Sequence, residues 1–268
     1  MKRNVFIVIM VVMVLVAVVA FAQTGVKKKR PLPHEFGKVT INNFSEAAKV
    51  PAVEFDHWLH RAKFTCRVCH VDIGFGMKAG TTGIRADDNI KGFYCGTCHD
   101  GKRSVGGKKV FEACSKNFSR ESFGRCQRCH SVGRNVKPEY DFAAFTEKFP
   151  KERFGNGIDW EKAEDSGIVK PIDHLEGVSI KRPPLKIQKD FELNPQIQGM
   201  PDIIFSHKKH TVWNGCELCH PEIFLGIKRG QTKYSMADIF QGKYCGVCHV
   251  NVAFPLLDCQ RCHAKPVN

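Results

Sequence analysis

Six times in 268 residues the chain repeats the pattern Cys-x-x-Cys-His: at Cys66, Cys69 and His70; Cys95, Cys98 and His99; Cys126, Cys129 and His130; Cys216, Cys219 and His220; Cys245, Cys248 and His249; and Cys259, Cys262 and His263. Two thiols at this spacing reach the two vinyl groups of one porphyrin, and the adjacent imidazole swings onto the iron as its proximal ligand. The motifs absorb twelve of the thirteen cysteines and predict six covalently bound haem c groups. Zinc is a competing use of such pairs, since twelve thiolates would build three tetrahedral sites, and structural disulfides are open to an exported chain. Neither accounts for a histidine directly after every second cysteine.

Six histidines stand outside the motifs: His34, His57, His60, His174, His207 and His210. Their number equals that of the irons, and an internal duplication tests whether this is coincidence. Phe55 to His99 aligns without a gap on Phe205 to His249 at a constant offset of 150, with eighteen identities in forty-five positions. His57 and His60 fall on His207 and His210, while His34, in His34-Glu35-Phe36-Gly37, parallels His174, in His174-Leu175-Glu176-Gly177. Methionine fails the same test, because Met77 aligns with Ile227, Met236 with Ala86 and Met200 with nothing. Imidazole on both faces leaves an iron no vacant position, which disfavours inner-sphere catalysis and leaves outer-sphere electron transfer. A multihaem reductase of a small anion such as nitrite needs one five-coordinate haem. The third site of each copy would supply it if His34 or His174 is not a ligand.

The elements that position these groups are expected to be short. With 22 residues removed as a leader, 246 remain for six haems, few enough that porphyrin faces must replace much of the side-chain core. The expected fold is a multihaem cytochrome: few short α-helices and long loops wrapped around stacked haems, with little or no β-sheet. Asp159 is placed to cap a short helix beginning at Trp160, and the Pro-rich run from Arg182 to Pro201 is expected as extended coil. The first copy carries seventeen extra residues between its second and third motifs, an expandable surface loop. Cys114 lies in that loop without a counterpart, as an incidental thiol, an intermolecular disulfide partner or an eroded haem site.

Phe-x-His-x-x-His followed by three Cys-x-x-Cys-His motifs resembles the trihaem cytochrome c7 unit, related to the tetrahaem cytochromes c3. The resemblance covers most of residues 30 to 130 and 174 to 263. It implies that His57 caps the haem of Cys66, Cys69 and His70, and His60 that of Cys95, Cys98 and His99. Likewise it pairs His207 with the haem of His220, and His210 with that of His249. Cytochromes c7 usually place a third distal histidine just ahead of the second motif, where this chain has Gly92-Phe93-Tyr94 and Gly242-Lys243-Tyr244. His34 and His174 are left for the third haems by elimination, with a swap between copies open.

The chain start sets the compartment. Lys2 and Arg3 precede an apolar run from Val5 to Ala22, ending in Ala20-Phe21-Ala22, which suits a cleaved signal peptide; retained, the run is just long enough to anchor the protein, as a membrane-bound quinol dehydrogenase requires. The expected organisation is a signal peptide at 1–22, a first trihaem domain at 23–130, a linker at 131–173 and a second trihaem domain at 174–268, with no membrane span after cleavage. The formal charge of +14 does not argue for nucleic acid, because loss of Lys2 and Arg3 and addition of six ferric haems at about −1 each bring it to about +6. Lys27 to Arg30 form a short basic arm, a solvated tail. Expected partners are other redox proteins, among them cytochromes and quinol-oxidising or outer-membrane electron conduits, in the periplasm or at an extracellular or outer-membrane surface, with an oligomer or filament open. The mass of the mature protein tests motifs and leader together: each haem adds about 616 Da to the polypeptide, and six are expected on a chain that starts at Gln23.

Overall fold

The computed structural model describes residues 10, 31–117, 123–131, 140–183, 186, 189–195, 197–226, 228 and 230–265. Apart from Met10, the apolar leader lies outside the described residues, as does the Lys27–Arg30 arm. Pro33–Asn268 forms a single unit that holds all six motifs.

Each copy begins with an antiparallel strand pair that runs directly into a helix. Strand β1 (Lys38–Ile41) pairs with β2 (Val53–Asp56), Val39 opposite Phe55, and α1 (His57–Arg61) follows at once. In the second copy a strand at Phe191–Leu193 pairs with one at Ile203–Phe205, Phe191 opposite Phe205, and the helix His207–Asn214 follows. The Phe191–Leu193 strand lies inside the stretch expected as coil; its Phe191 ring packs at 5.2 Å on Phe205, which gives this edge an apolar face to bury. Short helices at Ala86–Ile90 and Met236–Phe240 precede the second motif of each copy. Both are closed at the amino end by the duplicated aspartate, Asp88 Oδ2 accepting from Arg85 N at 2.8 Å and Asp238 Oδ2 from Ser235 N at 3.1 Å. A carboxylate there satisfies a donor the helix cannot, and complements its dipole. The sheets among the described residues are all two-stranded, matching the expected scarcity of sheet.

The side-chain core is small and lies between the copies. One cluster buries Trp58 with Ile158, Trp160, Ala163 and Val169, flanked by Phe142, Phe145, Phe149 and Trp213. Most of it comes from the joining stretch, whose helix Trp160–Asp165 is capped by Asp159 accepting from Lys162 N at 3.0 Å. The segment between the copies is therefore packed core and not a solvated tether. A second cluster joins Phe64 and Val68 to Leu175. Beside it Thr65 N donates to Ile172 O at 3.0 Å, and Arg67 pairs with Asp173 at 2.8 Å. Ile158 is 1% exposed, and Ile158→Ala should cost about 2–5 kcal/mol through the cavity it leaves, read as a lower denaturation midpoint of the haem-loaded chain with an unchanged slope.

Candidate haem sites

Strand followed by helix explains how Phe-x-His-x-x-His works. Residues 55 and 57 share a face of an extended chain, and 57 and 60 share a face of a helix, so the phenyl ring meets both imidazoles. Phe55 lies 4.8 Å edge-on to His57 and 4.3 Å from His60; Phe205 lies 5.0 Å edge-on to His207 and 4.4 Å from His210.

The other ring edge is held by the backbone. In the first copy Nδ1 of His57 meets Gly37 O at 2.8 Å, His60 meets Asp56 O at 3.0 Å, His70 meets Phe75 O at 2.9 Å, His99 meets Phe111 O at 3.2 Å and His130 meets Pro51 O at 2.7 Å. In the second copy His207 meets Lys189 O, His210 meets Ser206 O, His220 meets Phe224 O, His249 meets Phe254 O and His263 meets Pro201 O, all between 2.8 and 3.1 Å. A carbonyl has no proton to give, so in every case Nδ1 carries the hydrogen and Nε2 keeps its lone pair. That is the orientation a metal-bound imidazole takes. Burial also keeps six of these rings neutral, holding His57, His60 and His249 down to about 4 and lowering His70, His99 and His210.

Ring spacing tests the fit to an iron. A metal–nitrogen bond of about 2.0 Å on each side, with about 1.15 Å more to each ring centre, separates two axial imidazoles by about 6.3 Å. His57 and His70 have centroids 6.5 Å apart, His60 and His99 6.4 Å, and His210 and His249 6.2 Å. The first pair is within 6° of parallel, whereas the other two are crossed at 55° and 57°. Among the described residues no such pair joins His207 to His220, and His130 and His263 have no partner ring. His34, in the turn Pro33–Glu35, and His174 are exposed and lack a carbonyl on Nδ1 among the described residues. Their neighbourhoods are exchanged between the copies. Phe36 packs at Gly155 beside Pro255, while Glu176 O accepts from Arg103 and Asp173 from Thr65.

All thirteen cysteines carry free thiols. None is in a disulfide. Burial pushes Cys69, Cys95 and Cys248 up to about 12 and Cys129, Cys219 and Cys262 to about 11, as expected of thiols set among apolar groups. Among the described residues no group of three or more side chains is placed to hold a bare metal ion. Cys114 is half-buried and adds to the upward push on Cys95 and Cys129, which puts it among the motif thiols.

The family described as cytochrome c7 and related cytochrome c matches residues 53–131 and 203–264, the two regions that carry these imidazoles and thiols. The chain belongs to that family. Solved structures similar to it include a c7-type three-heme cytochrome domain, 32% identical over 30% of this chain and 99% of that one, with a TM-score of 0.25. The C-terminal hexaheme fragment of GSU1996 is 22% identical over 88% of this chain and 98% of its own, with a TM-score of 0.25, and the dodecaheme cytochrome c GSU1996 is 22% identical over 80% and 70%, with a TM-score of 0.26. No curated protein matches the chain. Membership of the c7 family and the six motifs establish covalent haem c as the cofactor, which supplies one-electron cycling at iron.

Two features of the c7 units escaped sequence reasoning. Phe111 and Phe254 are counterparts: each gives its carbonyl to the second-motif histidine, each ring lies within 4.5 Å of that imidazole, and each is covered by an arginine of the third motif, Arg128 or Arg261. His99 to Phe111 spans twelve residues where His249 to Phe254 spans five, so seven of the seventeen extra residues precede Phe111 and ten follow it. An aromatic beside an arginine was the available signal. The second feature is the duplicated glycine inside the second motif. A Cβ on Gly96 would stand 1.9 Å from Asn89 O, and one on Gly246 1.9 Å from Ile239 O, so the preceding helix seats directly on the motif backbone. Gly96→Ala and Gly246→Ala should each cost about 1–3 kcal/mol or more by forcing that helix away, measured by chemical denaturation.

Proposed function

We propose that the protein is an exported hexahaem electron carrier, in which electrons pass between haems without bonds being remade at iron, and which links redox partner proteins in anaerobic or extracellular respiration. The observation that carries this is the spacing of three imidazole pairs at 6.2–6.5 Å, with each ring fixed through Nδ1. On this reading His57 and His70, His60 and His99, and His210 and His249 close both faces of their irons, His207 closes the site of His220 by duplication, and His34 and His174 serve the third haems. The proximal roles go to His70, His99, His130, His220, His249 and His263. The thioether bonds go to the twelve motif cysteines. Two trihaem domains, 23–130 and 174–268, flank the stretch 131–173.

The chain's own residues hold and orient; they move no proton at iron. The carbonyls of Gly37, Asp56, Phe75 and Phe111 keep the first-copy rings in one tautomer. Phe55 and Phe205 pack against the distal imidazoles. Buried rings that stay neutral at pH 7 present the lone pair an iron needs. Among the described residues no helix is long and apolar enough to cross a membrane, and export rests on the leader sequence. The partners on this reading are cytochromes or other electron conduits.

A second reading has a specific observation behind it. His34 and His174 are exposed and unpaired with His130 or His263 among the described residues, which favours a five-coordinate third haem and with it reduction of a small anion. Electron paramagnetic resonance of the oxidised protein separates the two. The carrier reading expects low-spin signals alone, in two classes, because near-parallel and crossed imidazoles split the iron orbitals differently. It also expects no uptake of carbon monoxide by the reduced protein; a high-spin signal with carbon monoxide binding at one or two haems would instead select the reductase.

A further inference from the structure

Arg61 ends the helix that carries His57 and His60, yet its contacts lie in the other copy and in the joining stretch. Its guanidinium donates from Nη1 to Val252 O at 3.1 Å, lies 4.5 Å from the ring centre of Trp160 and 5.5 Å from that of Trp213. Val252 N in turn donates to Cys248 O at 3.0 Å, closing the turn after the fifth motif. On the other flank, Gly37, whose carbonyl holds His57, backs onto the same turn: a Cβ there would lie 3.5 Å from Asn251 O and 3.5 Å from the His57 Cβ. The first haem site of one copy and the second site of the other therefore abut, with Arg61 between them.

No carboxylate among the described residues is ion-paired to Arg61. Glu164 is occupied by Trp213 Nε1 at 2.7 Å, and Glu152 is paired with Arg261. A half-buried cation without a paired anion is costly, and stacking on two indoles offsets only part of that. The position is not duplicated either, since Thr211 occupies it in the second copy.

We propose that Arg61 is a positioning residue shared by the haem sites of Cys66/Cys69/His70 and Cys245/Cys248/His249, which joins the two copies there and raises the reduction potential of both sites. The inference rests on the electron-carrier reading. A ferrous site carries one positive charge fewer than a ferric one, so a neighbouring cation favours the reduced form. When one electron crosses the seam, one site is oxidised as the other is reduced, and no bond or proton changes hands.

The test uses the full six-haem protein with Arg61→Gln and Arg61→Lys, titrated stepwise from reduced to oxidised while the haem-methyl nuclear magnetic resonances are followed. Arg61→Gln is expected to cut the reduced-to-oxidised ratio at fixed potential about tenfold at two haems, about 59 mV each. Those haems are the ones bonded to Cys66 and Cys248, and Arg61→Lys should restore most of the shift. Unmoved midpoints, movement at other haems, or equal effects of the two variants would overturn the assignment. Should the glutamine variant fail to load six haems, the parent still decides the matter. Oxidation at the Cys66 site must then shift the resonances of the Cys248 site, and the absence of that shift rejects the seam. Low-spin spectra and the mass of six haems are read on the same samples, so loss of the carrier reading itself is seen separately.

Discussion

A backbone carbonyl that accepts Nδ1–H fixes the tautomer of an imidazole and the plane in which its ring lies, and so the direction in which Nε2 presents its lone pair. Ten histidines of this chain are held that way, and the scarcity of regular structure follows from it. Within a helix a carbonyl is already taken by the amide four residues on, so acceptors must come from strand ends, turns and loops. Gly37, Phe75, Phe111, Pro51 and their second-copy equivalents are all of this kind. Asp56 and Ser206 immediately precede their helices, and a carbonyl there has two lone pairs to share: Ser206 O takes both the amide of His210, at 3.2 Å, and its ring, at 2.8 Å.

The motifs were legible because covalent haem attachment demands neighbouring residues in sequence, and the His-x-x-His pairs because the duplication repeats them at an offset of 150. Three imidazole pairs then fell at the spacing two axial ligands require. The acceptors were not legible. Pro51 and His130 are 79 residues apart, and Pro201 and His263 are 62 apart, and a carbonyl leaves no trace in residue type. Pro51 and Pro201 do obey the offset of 150, a signal extending the duplication upstream of Phe55. The packing of the joining stretch was hidden for another reason. Its core residues are spaced irregularly, because Ile158 and Trp160 precede and enter a helix of a single turn or so while Val169 follows it, and neither a 2-residue nor a 3.6-residue period results.

Duplication fixed the sites, and divergence made the seam. Of the residues that pack between the copies, Trp58 aligns with Lys208, Arg61 with Thr211 and Lys63 with Trp213. Each copy thus kept its haem-binding residues and changed the outward face of the same short helix. The first copy turned a tryptophan and an arginine toward the joining stretch, and the second met them with Trp213. The family match leaves out residues 132–202, where the remaining partners Ile158, Trp160 and Ala163 lie.

The charges along the seam divide into compensated and uncompensated ones, and the division bears on electron transfer. The side chain of Asp72 is 1% exposed and sits between Arg67, at 3.7 Å, and Arg182, at 3.0 Å, with Ser179 donating at 2.6 Å. Arg67 is further balanced by Asp173 and Arg182 by Glu217. That network is satisfied on nearly every side and projects little field. Arg61 is flanked by indoles in place of carboxylates, so its field is not cancelled within contact distance, and the low polarity around it lets that field persist. A fixed charge held by packing does not reorient when an electron arrives, unlike water or a flexible surface lysine. A site ringed by such groups and by imidazoles anchored at Nδ1 has little to rearrange between its two oxidation states. The ordered contacts of the chain go to holding imidazole rings and fixing charged side chains such as Arg61 and Arg67, and much of its remaining length is left as loop.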